Sequence, residues 1–478
     1  METVASRPVG NTGEVANAPD EPAATAYTPA AHWDEALLPD GTPRAHAKAV
    51  MGALAGNPGG LAARVRAGLE RDDVRFGGAQ GELFSIDPVP RVIAAAEWET
   101  LSAGLAQRVH ALDRFVADMC GARKAVREGV IPFEVVRGAS HFEPTAAAYP
   151  PPADRWVGVA GLDVVRGRDG RLLVLEDNTR TPSGIAYAMA AREQIQAALP
   201  FGAALKVRSV ADAPALLGQA LLAAAPAAAR ADPYVVVLSD GPLNSAWWEH
   251  RVLAGHLGVP VVTHRQLTLG GDRLFHAGQA VDVVYRRTDD SSLHGPAGRL
   301  LAAPLRAGTL GVVHAFGTGI ADDKLVHAYV EDLIRFYCSE EPLLGSVHTY
   351  DLSTPAALEE ALDRLHEIVV KPRSGSGGEG VVLGPAADQA TLDALRAELT
   401  AAPERYVAQE LVHLSTHPTV IEGELVPRHV DLRAFVFLGE GDEAHVLPGG
   451  LTRVAMEESS MVVNSSQDGG AKDTWVLR

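Results

Sequence analysis

Apolar residues recur at three- and four-residue steps across 97–120. Leu101, Leu105, Val109, Leu112, Phe115, Val116 and Met119 fall on one face, which predicts a long amphipathic helix. Shorter helices are expected at 33–50 and 61–69. Between them, 83–91 reads as a strand entering a turn fixed by Pro88 and Pro90. The runs 156–165 and 171–176 predict the two strands of a hairpin, with Asp169-Gly170 as its tight turn. An Ala- and Leu-rich helical stretch at 205–231 stops at Asp232-Pro233. Strands at 234–238, 259–263 and 281–285, with a helix at 247–257, then follow a βαβ order. That order predicts a small doubly wound domain whose strand ends face a ligand. A helix at 321–336 precedes a region dominated by strands, at 406–412, 432–438, 445–448 and 461–463.

Length and charge narrow the field. A chain of 478 residues has room for two to four domains, and 47% hydrophobic with 21% charged residues is ordinary globular composition. The formal net charge of −18 argues against a nucleic-acid partner, which needs clustered Lys and Arg. Cys120 and Cys338 are too few for a disulfide framework or a zinc site. No apolar run approaches the roughly 18 residues of a spanning helix. Residues 1–31 lack the basic-then-apolar order of a signal peptide and read as a disordered tail. The expectation is a soluble, cytoplasmic protein without a membrane partner.

Two motifs carry chemistry. Ile368-Val369-Val370-Lys371-Pro372 leads into Gly375-Ser376-Gly377-Gly378-Glu379-Gly380. A Rossmann or P-loop glycine run opens a helix, but here Val381-Val382-Leu383 is strand-like and no Gly-Lys-Ser/Thr follows. The loop therefore joins two antiparallel strands. Its backbone N–H groups can fold over phosphates, with Lys371 supplying positive charge. The second motif, Leu173-Val174-Leu175-Glu176-Asp177-Asn178, ends a strand in Glu-x-Asn and continues through Arg180 and Pro182-Ser183-Gly184. Glu176 and Asn178 point to one side of an extended strand, and Asp163 falls opposite Glu176 across the hairpin. Hard oxygen donors in that arrangement suit magnesium.

The two motifs, together with Ile86-Asp87-Pro88-Val89-Pro90-Arg91, Gly161-Leu162-Asp163, Tyr285-Arg286-Arg287, Ala321-Asp322-Asp323-Lys324 and Asn464-Ser465-Ser466-Gln467, give the chain from about residue 33 onward a specific likeness. It resembles the circularly permuted type 2 ATP-grasp family, a group related to glutathionylspermidine-synthase-like carboxylate–amine ligases. In ordinary ATP-grasp ligases the lysine and glycine loop come first and Glu-x-Asn last; here the order is reversed.

The resemblance implies an α/β chain: a circularly permuted ATP-grasp fold with a doubly wound pre-ATP-grasp domain and a helical N-terminal region. The expected division is a tail at 1–31, a helical region plus the relocated magnesium hairpin at 32–200, the pre-ATP-grasp domain at 201–320, and the nucleotide-binding domain at 321–478. It implies ATP and Mg²⁺ as cofactors, with Asp163, Glu176 and Asn178 on the metal. Lys324, Lys371, Gly375, Ser376, Gly377, Gly378, Gln409, Glu410 and Arg433 would meet the nucleotide. Lys371, Arg433 and Arg180 would act in catalysis, Arg453 is a second candidate for the terminal phosphate, and Asn464 falls nearby. Arg286, Arg287 and Ser183 would bind substrate, although His294-Gly295 stands where the family would have Asp-Pro. The implied reaction joins a small-molecule or peptide carboxylate to an amine through an acyl phosphate. A non-catalytic nucleotide-binding accessory protein and a small-molecule kinase are the alternatives.

Overall fold

The computed structural model describes residues 27–30, 33–54, 57–199, 205–288, 292–375, 378–457 and 469–478. Most of the expected tail, Ser376 and Gly377 of the glycine loop, the strand expected at 461–463, and Asn464 all lie outside the described residues.

Three sheets carry the architecture. In the largest, strands run in the order Ile86–Ile93, Gly470–Val476, Leu451–Val454, Glu424–Leu438, Val159–Arg166, Leu172–Asn178, and Thr416–Ile421 and Ala444–Val446 also pair with the long strand Glu424–Leu438. The hairpin at 159–178 is thus hydrogen-bonded to a strand some 270 positions later, with Arg433 directly opposite Asp163. The second sheet is wholly parallel, in the order Gly311–Val313, Val283–Arg287, Val235–Ser239, Val261–Val262. The third is antiparallel, in the order Thr349–Tyr350, Tyr406–Glu410, Ile368–Pro372, Val382–Leu383. Its last two strands flank the glycine loop, as the strand-like Val381-Val382-Leu383 requires.

The long helix forms over Ala95–Met119 and buries Leu101, Leu105, Val109, Leu112, Phe115 and Val116. Other expectations shift. Residues 33–47 are not helical; the helix is confined to Lys48–Leu54. Asp34 accepts the N–H groups of Ala36 and Leu37, and Gly41 turns the chain at positive φ, so the backbone bonds locally instead. The strand Ile86–Ile93 runs through Pro88 and Pro90 rather than turning there. It lies at the edge of its sheet, where a missing N–H leaves no ladder bond unmade. The 205–231 stretch is helical only over Ala213–Ala223, and the helix expected from 321 is a 3₁₀ turn at Val326–Tyr329 continuing into Val330–Cys338. Among the described residues no helix is long and apolar enough to cross a membrane.

One buried cluster binds the remote segments together. Glu35 accepts both Nε and a terminal nitrogen of Arg91 (2.7 and 2.6 Å), Nε of Arg166 (3.1 Å) and the Ser415 hydroxyl (2.6 Å). Burial works to raise the Glu35 pKa, but the two guanidinium groups outweigh it and hold the carboxyl below its usual range. Arg91 also donates to the Asp431 carbonyl at 3.2 Å. Glu35→Ala leaves two buried guanidinium groups short of a partner. The expected outcome is a loss of about 3–5 kcal/mol of unfolding free energy in a denaturant titration.

Candidate active site

The large sheet and the antiparallel sheet wall a cleft of about 480 Å³, within the range of small-ligand sites. From the antiparallel sheet and its loop come Lys371, Gly375, Gly378, Gln409 and Glu410; from the large sheet come Asp163, Glu176, Arg433 and Arg453; Asn178 closes the strand end. Residues as far apart in the chain as Asp163 and Arg453 therefore line one cavity.

The hairpin places its carboxylates by two compensating irregularities. The turn is longer than Asp169-Gly170 suggests: the Gly167 N–H donates to the Arg171 carbonyl, leaving a three-residue loop at 168–170 with Gly170 at positive φ. A bulge at Leu175 then restores the register, so Asp163 does stand opposite Glu176. On the other face of that strand, Asp177 is gripped by Arg108 (2.6 and 2.7 Å) and by Nδ1 of His327 (2.8 Å). This buried clamp fixes the strand so that Glu176 and Asn178 turn toward the cleft.

Asp163 itself is occupied. Arg433 meets both its oxygens (2.7 and 2.8 Å), and Arg453 reaches one of them at 2.9 Å. Arg453 is further held by Asp431, with Nε at 2.9 Å. Burial works to raise the Asp163 pKa, yet the two arginines overcome it and keep the group below the usual carboxylate range. Burial raises Asp431. Glu176 and Asn178 are left as the open oxygen donors. The Asn178 amide nitrogen is buried and meets no acceptor among the described residues, which fits a side chain held ready for a ligand. Among the described residues no cluster of three His, Cys, Asp or Glu side chains forms a metal cage. Magnesium takes one or two protein oxygens and completes its shell with phosphates and water, a demand that Glu176 and Asn178 could meet.

Three consecutive residues lace the halves together. Asp322 accepts the Thr179 hydroxyl (2.7 Å) and the Arg180 N–H (3.1 Å) and pairs with the Arg180 guanidinium at 3.6 Å. Burial pushes its pKa up to about 6. Asp323 holds Arg373, at the start of the glycine loop, through Nε (2.8 and 2.9 Å). Lys324 donates to the Gly375 carbonyl at 2.8 Å and lies 3.4 Å from Glu176. Lys371 lines the same cleft, and burial lowers its pKa against the opposing pull of Glu176.

On the antiparallel sheet, Gln409 donates to Thr349 at 2.8 Å, while its buried oxygen meets no donor among the described residues. Glu410 lines the cleft, but its carboxylate is tied to Arg364 (2.7 and 3.0 Å) and to the Tyr350 hydroxyl. The expected substrate pair is not brought to the cavity. Arg286 donates to the His314 and Ala315 carbonyls and lies over the Phe316 ring. Arg287 is spent on Pro182 O (2.6 Å), the Ser183 hydroxyl (2.6 Å) and Glu249 (3.1 Å). Both are buried and neither lines the cleft, whereas Ser183 does. Sequence reasoning missed the roles of Arg108, Asp177 and His327 because their chain positions carry no shared spacing.

Residues 90–455 match the description of the circularly permuted type 2 ATP-grasp group. A protein of Frankia casuarinae provisionally named glutamate–cysteine ligase 2-2 is 45% identical over 408 residues, 83% of this chain and 47% of that protein. An uncharacterised protein of Mycobacterium tuberculosis is also 45% identical, over 82% of this chain and 74% of its own length. The chain thus spans about half the length of the Frankia relative. A glutathione synthetase-like effector from Globodera pallida, solved without ligand, shares the fold: the TM-score is 0.58 at 12% identity, over 89% of this chain and 99% of that one. The chain belongs to the circularly permuted type 2 ATP-grasp family, whose ligases use ATP and Mg²⁺.

The arginine-bound state of Asp163 separates its role from that of Glu176. Asp163→Asn should lower unfolding free energy by about 3–5 kcal/mol at neutral pH, because two buried guanidinium groups lose their counter-charge. A carboxyl with a depressed folded pKa stabilises fully above its unfolded value of 3.8 and loses that contribution as pH falls through the lower folded value. The difference between wild type and variant should therefore hold constant near neutrality and shrink below pH 3.8, read by urea titrations across pH. Glu176→Gln, whose carboxylate is a third exposed, should cost far less stability.

Proposed function

We propose that this protein is an ATP- and magnesium-dependent ligase that joins a carboxylate to an amine through an acyl phosphate. The observation that supports the reading best is the lacing by Asp322, Asp323 and Lys324. These residues tie the Glu-x-Asn strand and the glycine loop to one point, with Lys324 in reach of both.

On this reading Lys371, Lys324 and the backbone of the glycine loop hold the nucleotide phosphates. The unpaired Gln409 oxygen faces the hydrogen-bond donors of the base. Glu176 and Asn178 would hold magnesium, whose positive charge would offset that of the phosphates. Asp163 acts indirectly: with Asp431 it aims Arg433 and Arg453 at the terminal phosphate, where planar guanidinium groups suit migrating charge. Arg180, positioned by Asp322, serves the acyl phosphate. The substrate carboxylate oxygen attacks the terminal phosphorus and ADP leaves. The amine nitrogen then attacks the acyl carbon, phosphate leaves with the electrons of the broken C–O bond, and the nitrogen gives up a proton to the departing phosphate.

The test is magnesium-dependent ADP release over pooled carboxylates and amines, with product masses recorded. A product of acid plus amine minus water is the expected outcome. Lys371→Ala and Arg433→Ala should each slow it by about 10²–10³-fold. ADP release without an amine requirement would instead favour a kinase, and full activity in both variants would remove the assignment.

A further inference from the structure

The cleft has a second end that the phosphate chemistry does not use. Phe76, Phe84 and Tyr187 line it, with Ser183, Gly184 and Leu451 at its junction with the phosphate half. The three rings pack against one another in tilted and edge-on contacts. Phe84 and Tyr187 lie 4.4 Å apart between centroids, Phe76 meets Tyr187 edge-on at 6.0 Å, and Trp248 backs Tyr187 at 5.0 Å. The Tyr187 hydroxyl is bound to the Arg75 carbonyl at 2.8 Å, so its ring, not its polar tip, serves the wall.

The position of this surface says which substrate it meets. Leu451 and Arg453 lie two apart on one strand, about 7 Å along the backbone, and both line the cleft, so apolar and cationic lining are neighbours. A group reaching from the arginines to the rings belongs to the carboxylate that is phosphorylated. The charges say what that group is not. The Lys and Arg side chains lining the cleft are Arg180, Lys324, Lys371, Arg373, Arg433 and Arg453, and Arg180, Lys324, Arg373, Arg433 and Arg453 are ion-paired with Asp322, Glu176, Asp323, Asp163 and Asp431. Arg286 and Arg287 are buried outside it. From residue 27 to the C-terminus, every Lys and Arg of the sequence is among the described residues. A second carboxylate on the substrate would be buried against the rings without a dedicated cation, which is costly.

Resting on the ligase reading, we infer that the carboxylate substrate carries an aromatic or other large apolar side chain, seated on Phe76, Phe84 and Tyr187. Glutamate, the substrate in the name of the Frankia relative, is the wrong shape and charge for this end.

Calorimetric binding in the presence of Mg²⁺ and a non-hydrolysable ATP analogue tests this, with phenylalanine, alanyl-phenylalanine and glutamate as probes. An aromatic carboxylate should bind at least roughly 10-fold tighter than glutamate. Phe76→Arg, at a partly buried position, should reverse that preference by placing a cation at the apolar end. Affinity for the ATP analogue, read in the same titrations, should be unchanged in Phe76→Arg and reports that the variant folds. Equal or tighter glutamate binding, absence of aromatic binding while the analogue binds, or an unchanged ratio in Phe76→Arg would each overturn the inference. The analogue titration is read separately: if it fails, the nucleotide assignment falls first and this inference with it.

Discussion

The pairing of Val159–Arg166 with Glu424–Leu438 is the constraint on which the rest of the structure depends. It brings the early hairpin and the late strand into one sheet, with Asp163 and Arg433 face to face. Without that pairing the two chemical motifs would sit on separate pieces of chain. Closing so long a loop costs entropy that grows only slowly with length, so a permuted order is tolerable once enough contacts reward the closure. Those contacts are present: Ile86–Ile93 lies parallel to Gly470–Val476 on one side, and Glu35 gathers Arg91, Arg166 and Ser415 beneath.

The strand Gly470–Val476 is therefore structural. Gly470–Val476 sits between Ile86–Ile93 and Leu451–Val454, and it buries Trp475 and Lys472. Lys472 is held by Asp87, which also accepts the Val420 N–H at 2.6 Å. A buried ion pair contributes little by itself, but losing one partner leaves a charge stranded in the interior. Such clusters penalise misregistered sheets more than they reward the correct one, and this sheet is assembled from strands that the chain delivers out of order.

Motif chemistry was legible in the sequence wherever local spacing encodes it. The glycine loop follows from the strand-like run after it, the shared face of Glu176 and Asn178 from a period of two, and the pairing of Asp163 with Glu176 came out as expected. The last is instructive, because the assumed two-residue turn was wrong and the unforeseen bulge at Leu175 cancelled the error. What spacing cannot encode is competition for a side chain. Arg286 and Arg287 stand at a strand end, as a substrate pair should, yet Glu249 and the Pro182-Ser183 segment absorb Arg287 and backbone carbonyls absorb Arg286. Likewise Asp163 has the position of a ligand and the partners of a clamp. The aromatic wall was invisible for another reason: Phe76, Phe84 and Tyr187 come from separate elements whose meeting depends on the tertiary fold.

The electrostatics of the cleft explain how a chain with a net charge of −18 can offer a site for a polyanion. Local acids do not dilute the cations; they aim them. Asp163 and Asp431 orient two arginines, Asp322 and Asp323 orient Arg180 and Arg373, and Glu176 draws Lys324 toward the strand Leu172–Asn178. A set of lysines and arginines crowded together without such partners would repel itself and lose geometry. Here the acids hold the geometry in advance, which lowers the reorganisation needed when phosphate arrives. Lys371 is the telling exception: burial lowers its pKa, and its nearest electrostatic support is Glu176, the same carboxylate that Lys324 approaches. Two lysines thus draw on one acid, and phosphate bound beside them would give each its own counter-charge, so the ligand completes what the protein alone leaves shared.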